Sequence, residues 1–344
     1  MRTLTFVVGT GRSGSTALSH IVNAHPDVLS LSELMASVGS DGLPAGELDG
    51  RGFWRLLAEP NPIFDAMTRS GVPLPEFVYV REPGRWRFGA ETTGIPALSL
   101  MVLPHLTDDP DGLFDALEEE ITCWPARSAA RHYEALFETL CTRFGRGAVV
   151  ERSGFSTQFV PRLRAAFPQA RFVHLFRDGP DCALSMSRHI GFRMIFLLRE
   201  IRDRAGVRDL RELTEDDVRK LPPEMSALLG HRFDPALVRD RDLPLEEFGA
   251  LWSELVAQGE AHLDEVPAGM RMRLAYEELL DAPRDGLTRL AEFIGVEPLP
   301  QWLDAGSALL DNGRRGASLR LPSHELDALK ERCAPGARVL AARS

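Results

Sequence analysis

Residues 4–24, LTFVVGTGRSGSTALSHIVNA, carry the strongest structural signal in this 344-residue chain. The first five residues form an apolar and β-branched run that predicts a strand. Residues 9–15 are rich in glycine and serine, and residues 16–24 have the apolar spacing of a helix that ends before Pro26. A strand, a glycine-rich loop and a helix in this order bring backbone N–H groups and the positive end of a helix to one point. The stretch therefore predicts an anion site.

Strands and helices continue to alternate further along the chain. The pattern predicts helices over residues 129–144, 157–167 and 286–294, and strands over residues 148–150, 171–176 and 272–276. Repeated β-α units predict an α/β fold with a P-loop-like parallel β-sheet that is flanked by helices on both faces.

Two segments interrupt this alternation. Residues 190–245 are rich in charge and helical without strands, so they predict a helical cap inserted into a single domain over residues 1–344. Residues 40–115 are rich in glycine, proline and aspartate, and their local pattern predicts no function.

Composition narrows the class of protein. A formal charge of −10 argues against nucleic acid as the main partner, because a negative surface repels phosphate backbones. The four cysteines form no C-x-x-C pair, so they predict neither a zinc site nor a disulfide framework. This pattern is typical of a protein in a reducing cytoplasm. We expect no secretion signal, because the N-terminus has no charged leader, and no membrane span, because no apolar run approaches about 18 residues.

The glycine-rich loop combines hydroxyl groups with one cation. Gly11 and Gly14 allow a tight turn, and Arg12 supplies a planar fork that suits an anionic oxygen. A nucleotide-triphosphate loop, G-x-x-x-x-G-K-[ST], would need lysine at position 15, where this chain has serine. The alternative without a ligand is a serine-capped turn that enters a helix. The hydroxyl donors of the loop are Ser13, Ser15 and Thr16.

A second loop repeats the arrangement. Arg177 follows a predicted buried strand, and Ser185 lies two turns into the next predicted helix. Because loops after adjacent parallel strands meet in one crevice, we expect both side chains to face the same pocket as the first loop.

These motifs resemble the PAPS-dependent sulfotransferases (PAPS, 3′-phosphoadenosine 5′-phosphosulfate), in particular the branch with tyrosylprotein, Golgi carbohydrate and bacterial enzymes. Residues 12–16, RSGST, are similar to the R-S-G-[ST]-[ST] loop that holds the 5′-phosphosulfate in that family. Arg177 and Ser185 are similar to the pair that holds its 3′-phosphate. The resemblance implies PAPS as donor and 3′,5′-adenosine bisphosphate as product. It also implies a hydroxyl acceptor on a small molecule, a glycan or a lipid-like metabolite.

The resemblance implies further donor contacts. Arg152 stands where relatives commonly have a lysine, and Tyr276 is implied to pack near the adenine. Relatives often carry glycine, lysine and tryptophan in a C-terminal loop near the donor, where this chain has Arg314 and Arg315. A solvated basic loop is the alternative for these two arginines.

The acceptor side is implied by fewer residues. Relatives with this loop carry a catalytic glutamate at the position of Glu33, which makes Glu33 the predicted base, while capping of the next helix or pairing with Arg12 is the alternative. His189, at the cap entrance, is a candidate acceptor contact and the second candidate for the base. No carboxylate cluster accompanies the loop, so we expect no metal. The competing functions are a P-loop nucleotide kinase or hydrolase and a non-catalytic nucleotide-binding regulator.

Overall fold

The computed structural model describes residues 2–311, 313 and 315–342. The strands are β1 (Thr3–Gly9), β2 (Val28–Ser32), β3 (Glu47–Leu48), β4 (Arg127–Ser128), β5 (Ala148–Arg152), β6 (Arg171–Phe176) and β7 (Arg271–Ala275). Five of them form one parallel sheet in the order β2-β5-β1-β6-β7, while β3 and β4 form a separate antiparallel pair.

Helices connect and cover these strands. They are α1 (Ser15–Asn23), α2 (Leu34–Val38), α3 (Gly50–Ala58), α4 (Pro62–Arg69), α5 (Ala97–Met101), α6 (Pro110–Ile121), α7 (Ala129–Phe144), α8 (Val160–Ala166), α9 (Gly179–Ser187), α10 (Ile190–Ala205), α11 (Glu215–Lys220), α12 (Pro223–Ala227), α13 (Ala236–Arg239), α14 (Leu245–Asp264), α15 (Tyr276–Asp281), α16 (Pro283–Ile294), α17 (Pro300–Ala308) and α18 (Ser323–Ala341).

The predicted α/β class is confirmed. The sheet is parallel, and its three inner strands β5, β1 and β6 are buried on both faces, as a sheet covered by helices on both sides requires. Phe6 and Phe172 face a core that includes residues of α7 and α8. Val7 and Val173, one residue further along each strand, face a core that includes residues of α1, α16 and α17.

Several boundaries differ from the sequence prediction. The segment predicted as one helix over residues 157–167 is a 3₁₀ turn, Thr157–Phe159, followed by α8. The last strand ends at Ala275, and Tyr276 already begins α15. The pattern of residues 25–32 does not predict β2, which alternates leucine with serine and yet is buried along its whole length.

The predicted cap shares an apolar cluster with a segment that is far from it in sequence. Met194 and Leu197 of α10 share an apolar cluster with Met67 of α4, with Phe77 and with Leu100 of α5. Residues 190–245, the predicted cap, therefore pack against part of the segment for which the sequence predicts no function. The apolar stripe of α10 needs such a partner to leave water.

Among the described residues, we find no helix that combines the length and apolar character needed to cross a bilayer.

Candidate active site

The carboxyl edge of the sheet gathers residues that the sequence singles out. Each of the five parallel strands ends in or next to one of them: Glu33 after β2, Arg152 in β5, Arg12 after β1, Arg177 after β6 and Tyr276 after β7. Because all five strands run in the same direction, their loops meet at one edge of the sheet.

Backbone strain is concentrated at this edge. The described residues include three non-glycine residues with φ in the left-handed region: Arg12 at 59°, Glu33 at 61° and Phe155 at 54°. They follow β1, β2 and β5. Such conformations cost free energy and persist where the surrounding structure enforces them, which is common at ligand-binding sites.

A cavity of about 180 Å³ opens beside the loop after β1. It brings together most of the residues that the resemblance assigns to the donor, and adds Ala17, Leu309 and Asp311. The predicted residues in its lining are Arg12, Gly14, Ser15, Thr16, Arg177, Ser185 and Tyr276.

The other two loop residues lie deeper. Ser13 is fully buried, and its Oγ lies 3.1 Å from the position that a Cβ on Gly9 would occupy. Gly11 packs against Phe192 of α10, because a Cβ on Gly11 would come within 2.6 Å of the Phe192 ring. Ser13 and Gly11 therefore form the buried side of the loop.

Gly14 and Tyr276 are in direct contact. A Cβ on Gly14 would lie 2.1 Å from the Tyr276 ring, and φ at Gly14 is 88°, so only glycine fits here. The Arg177 guanidinium lies 5.7 Å from the centre of the same ring. The aromatic ring thus joins the first loop to the second.

Arg12 is held by groups from two other elements. Its Nε donates to Ser185 Oγ of α9 at 3.2 Å, and its Nη1 lies 3.5 Å from Glu76 Oε1. Glu76 Oε2 in turn lies 3.3 Å from His189 Nε2. Burial opposes ionisation of Glu76, but the hydrogen bond from His189 and the charges of His189 and Arg12 hold the pKa of Glu76 below its ordinary value.

Sequence analysis missed Glu76, because it lies in an irregular segment between α4 and α5 with no local pattern. Glu76 links His189, the predicted acceptor contact at the cap entrance, to Arg12 of the glycine-rich loop.

Arg177 is tied to a second carboxylate that the sequence analysis missed. Its Nη2 lies 3.2 Å from Asp181 Oδ2 in the first turn of α9. Asp181 also accepts from Gly316 N at 2.7 Å, from Ser318 N at 2.9 Å and from Ser318 Oγ at 2.8 Å. Burial raises the pKa of Asp181, but these hydrogen bonds and Arg177 outweigh it and lower the pKa overall. The sequence signal that could have revealed Asp181 is its place in the first turn of the helix that follows Arg177.

Of the two predicted C-terminal contacts, Arg314 and Arg315, only Arg315 belongs to the described residues. Arg315 forms an exposed ion pair with Asp281 at the end of α15 and does not line the cavity. Arg314 lies outside the described residues.

The β2 and β5 ends form a buried polar cluster. Glu33 Oε1 accepts a short hydrogen bond from Arg152 Nη1, and Glu33 Oε2 accepts from Gly154 N at 2.9 Å. Both oxygens of the predicted base therefore have protein partners. Arg152 retains its Nε buried and without a hydrogen-bond partner among the described residues.

Two further titratable groups border this cluster. Burial raises the pKa of Glu151 to about 7, against a hydrogen bond from Ser153 Oγ at 2.7 Å and one from Met35 N at 3.1 Å. Burial, and next the charge of Arg152, lower the pKa of His105 to about 4, so His105 is neutral at physiological pH. Within the described part of the chain, no group of three or more His, Cys, Asp or Glu side chains could hold a metal ion.

Comparison with known proteins finds similarity only at the level of structure. No family model and no curated protein matches the chain. It is similar to the sulfotransferase domain from the curacin biosynthetic pathway, with 12% identity, a TM-score of 0.47 and coverage of 97% of this chain and 98% of that one. It is also similar to the sulfotransferase domain from the Synechococcus PCC 7002 olefin synthase, with 16% identity, a TM-score of 0.48 and coverage of 99% and 94%.

A third similar structure is a sulfotransferase from Alicyclobacillus acidocaldarius, with 14% identity, a TM-score of 0.42 and coverage of 99% and 95%. Likeness at this level of identity and TM-score assigns no activity to this chain. The roles of its site residues rest on the contacts described above.

Proposed function

We propose that this protein is a sulfotransferase that moves a sulfuryl group from PAPS to a hydroxyl acceptor. The observation that carries the proposal is the cavity at the carboxyl edge of the sheet. It combines a glycine-rich loop at a helix N-terminus with two arginines from separate loops, Arg12 and Arg177. A ligand with two separated anionic groups, such as a bisphosphorylated nucleotide, suits that arrangement.

The residues divide between the two anionic groups of the donor. Arg12 and the loop over residues 13–16 would hold the 5′-phosphosulfate, and Arg177 with Ser185 would hold the 3′-phosphate. Arg152 would face the transferred group from the neighbouring strand. Sulfuryl transfer needs donors aimed at the charge that builds on the leaving and transferred oxygens, and these arginines and backbone N–H groups are such donors.

The acceptor side belongs to the cap. We propose that residues 190–245, inserted in a single domain over residues 1–344, select the acceptor together with the segment around Glu76 that packs against them. The acceptor is a hydroxyl of a small molecule, a glycan or a lipid-like metabolite. Two residues compete for the role of base, Glu33 and His189.

The test begins with the wild-type protein. Calorimetry should show binding of 3′,5′-adenosine bisphosphate without added metal and no comparable binding of ATP·Mg²⁺, since the loop lacks the lysine of a nucleotide-triphosphate site. Labelled sulfate should pass from PAPS to an acceptor in a cell extract, identified by mass spectrometry. Tighter binding of ATP·Mg²⁺ would favour a kinase or hydrolase, and bisphosphate binding without transfer would favour a non-catalytic regulator.

Arg177→Ala tests the assignment of the 3′-phosphate. We expect weaker binding of the bisphosphate by about 1.5–3 kcal/mol, the usual contribution of a hydrogen bond to a charged group. Binding of adenosine 5′-phosphosulfate, which lacks the 3′-phosphate, should hardly change. Arg315→Ala is the matched control, because Arg315 lies outside the cavity. An equal loss for both ligands in Arg177→Ala would exclude this assignment.

Removal of metal ions tests whether sulfate transfer depends on a divalent metal. We expect EDTA to leave the rate of sulfate transfer unchanged, because a sulfate ester carries less charge than a phosphate monoester and arginines can neutralise it. Loss of transfer on chelation, restored by Mg²⁺, would contradict this expectation.

A further inference from the structure

Glu260 of α14 contacts two neighbouring strands of the parallel sheet. His174 of β6 and Arg273 of β7 are partners in the strand register, and both side chains reach the Glu260 carboxylate. Glu260 Oε1 lies 2.5 Å from His174 Nδ1 and 3.3 Å from Arg273 Nε. One carboxylate oxygen therefore joins the helix to both strands at the same register position.

This contact is buried, and its charges compensate each other. The exposed fraction of the side chain is 0% for His174, 4% for Glu260 and 25% for Arg273. A carboxylate only accepts hydrogen bonds, so His174 Nδ1 carries the hydrogen and donates it. His174 Nε2 is buried and has no hydrogen-bond partner among the described residues, so within that part of the chain only Glu260 hydrogen-bonds the ring. The Arg273 guanidinium compensates the carboxylate, as a buried charge requires.

Both strands carry proposed donor residues shortly after this contact. Arg177 follows His174 by three residues, and Tyr276 follows Arg273 by three residues. The Arg273 guanidinium also lies 5.1 Å from the centre of the Phe176 ring, directly before Arg177 in the chain. A shift of β6 relative to β7 would therefore move Arg177 relative to Tyr276.

The preceding residue of α14, Gly259, supports the glycine-rich loop. A Cβ on Gly259 would lie 2.8 Å from Thr157 Cγ2, so α14 packs closely against the turn after β5. In that segment Ser156 N donates to Gly9 O at 3.0 Å, and Ser156 Oγ accepts from Gly9 N at 3.3 Å. Gly9 ends β1 and begins the loop. One turn of α14 thus supports the ends of β1, β6 and β7, the three strands next to the donor cavity.

We propose that Glu260 is a positioning residue of the donor site, which fixes Arg177 and Tyr276 relative to each other through β6 and β7. This inference rests on the proposed sulfotransferase function. Glu260 and Arg273 line a separate open cavity of about 740 Å³ between α14, β7 and α16. Within the described part of the chain, its lining shares no residue with the donor cavity. Glu260 therefore acts on the donor through the strands and not by contact.

Glu260→Gln is the main variant, because it keeps the shape of the side chain and removes its charge. We expect bisphosphate affinity to fall about 3- to 30-fold, the range for residues that act on a ligand without touching it. Asp264→Asn is the matched control and should keep bisphosphate affinity within about 2-fold. Asp264 lies four residues further along α14 and pairs with Arg271 of the same strand at 2.9 Å, but that pair is partly exposed. A fall of less than about threefold in Glu260→Gln would overturn the proposal.

The size of the effect separates positioning from loss of the fold. Reversible unfolding weakens apparent binding only in proportion to the folded fraction, so a variant that is about 90% folded would lose only about 1.1-fold. Urea titration gives the folded fraction of Glu260→Gln under the conditions of the calorimetry. A loss of affinity that the unfolded fraction fully explains would assign Glu260 a structural role alone.

A double-mutant cycle tests whether the effect passes through Arg177. Glu260→Gln should cost at least about threefold less bisphosphate affinity in an Arg177→Ala background than in the wild-type background, because the arginine that it positions is then already absent. Losses that multiply independently would show that Glu260 does not position Arg177.

Two pairs of variants provide the same test if Glu260→Gln does not fold. His174→Asn keeps an N–H donor near the position of Nδ1 and should retain bisphosphate affinity within about 2-fold, whereas His174→Ala should lose at least about threefold. Arg273→Gln should also lose at least about threefold, while Arg271→Gln should stay within about 2-fold. Both arginines lie on β7 and pair with carboxylates of α14, but only Arg273 reaches Glu260. Equal effects within either pair would contradict the proposal.

The outcomes separate the two proposals. If the wild-type protein binds the bisphosphate and transfers sulfate, and variants of Glu260, His174 and Arg273 bind normally, the positioning role is wrong while the proposed function stands. If the wild-type protein neither binds the bisphosphate nor transfers sulfate, the proposed function fails and this inference fails with it.

Discussion

The carboxyl edge of the sheet has two halves that are built differently. The half formed by β1, β6 and β7 surrounds an open cavity, and its two arginines, Arg12 and Arg177, form ion pairs with Glu76 and Asp181, which lie outside the glycine-rich loop. The half formed by β2 and β5 is closed, because Glu33 and the Arg152 guanidinium are paired with each other and both are buried.

Under the proposed function, one polar edge serves both ligand binding and stability. In the open half a bound anion can add to a site that already contains positive charge. In the closed half the buried charges compensate each other, which is the condition for keeping them out of water. Substitutions in the two halves should therefore separate ligand binding from folding.

The largest effect is expected from breaking the buried ion pair of either half. Asp181→Ala removes the carboxylate next to Arg177 and leaves Gly316 N and Ser318 unpaired, and Glu33→Ala leaves Arg152 as a buried charge. Each should lower the free energy of unfolding in urea by about 3–5 kcal/mol. Only Asp181→Ala should also weaken bisphosphate binding.

The matched control for this comparison is Asp281→Ala. Its ion pair with Arg315 is exposed on both sides, so its loss should cost no more than about 1 kcal/mol. Equal losses of bisphosphate affinity in Asp181→Ala and Glu33→Ala would show that the two halves do not divide the roles as described.

An intermediate effect is expected from Glu151 in the closed half. Its pKa is raised by burial from 4.5 to about 7, so the folded protein keeps a proton that the unfolded chain has lost. Stability from this group is complete below pH 4.5 and declines as pH rises to about 7, by at most about 1.4 kcal/mol per pH unit. Urea unfolding at several pH values should show a flatter dependence in Glu151→Gln. An unchanged slope would assign the pH dependence to other groups.

The smallest effect compares two glycines with positive φ. Gly206→Ala should cost about 1 kcal/mol of stability, because alanine is strained in this conformation, and Gly14→Ala should cost more, because its Cβ also meets the Tyr276 ring. A Cβ on Gly206 meets nothing within 4 Å, whereas one on Gly14 collides with Tyr276. Only Gly14→Ala should therefore lower bisphosphate affinity, by at least about tenfold. Normal bisphosphate binding by Gly14→Ala would show that the contact between residue 14 and Tyr276 does not contribute to the donor site.

The sequence by itself determines the α/β class and the strand, glycine-rich loop and helix of the first unit. The strand, the turn and the helix of residues 3–23 are contiguous, so apolar spacing and glycine positions describe them without reference to the rest of the chain. The same holds for the strand and helix that carry Arg177 and Ser185. In both cases the hydrogen bonds that define the elements are local or belong to a repeated parallel pattern.

Only the tertiary structure shows what holds those arginines and what completes the cap. Glu76 meets His189 across 113 positions of sequence, and Asp181 meets Ser318 across 137. The apolar stripe of α10 likewise finds its partner in residues around Phe77. The sequence of one segment does not show which distant residue it contacts, because each side chain satisfies its burial or its charge with a group from another element.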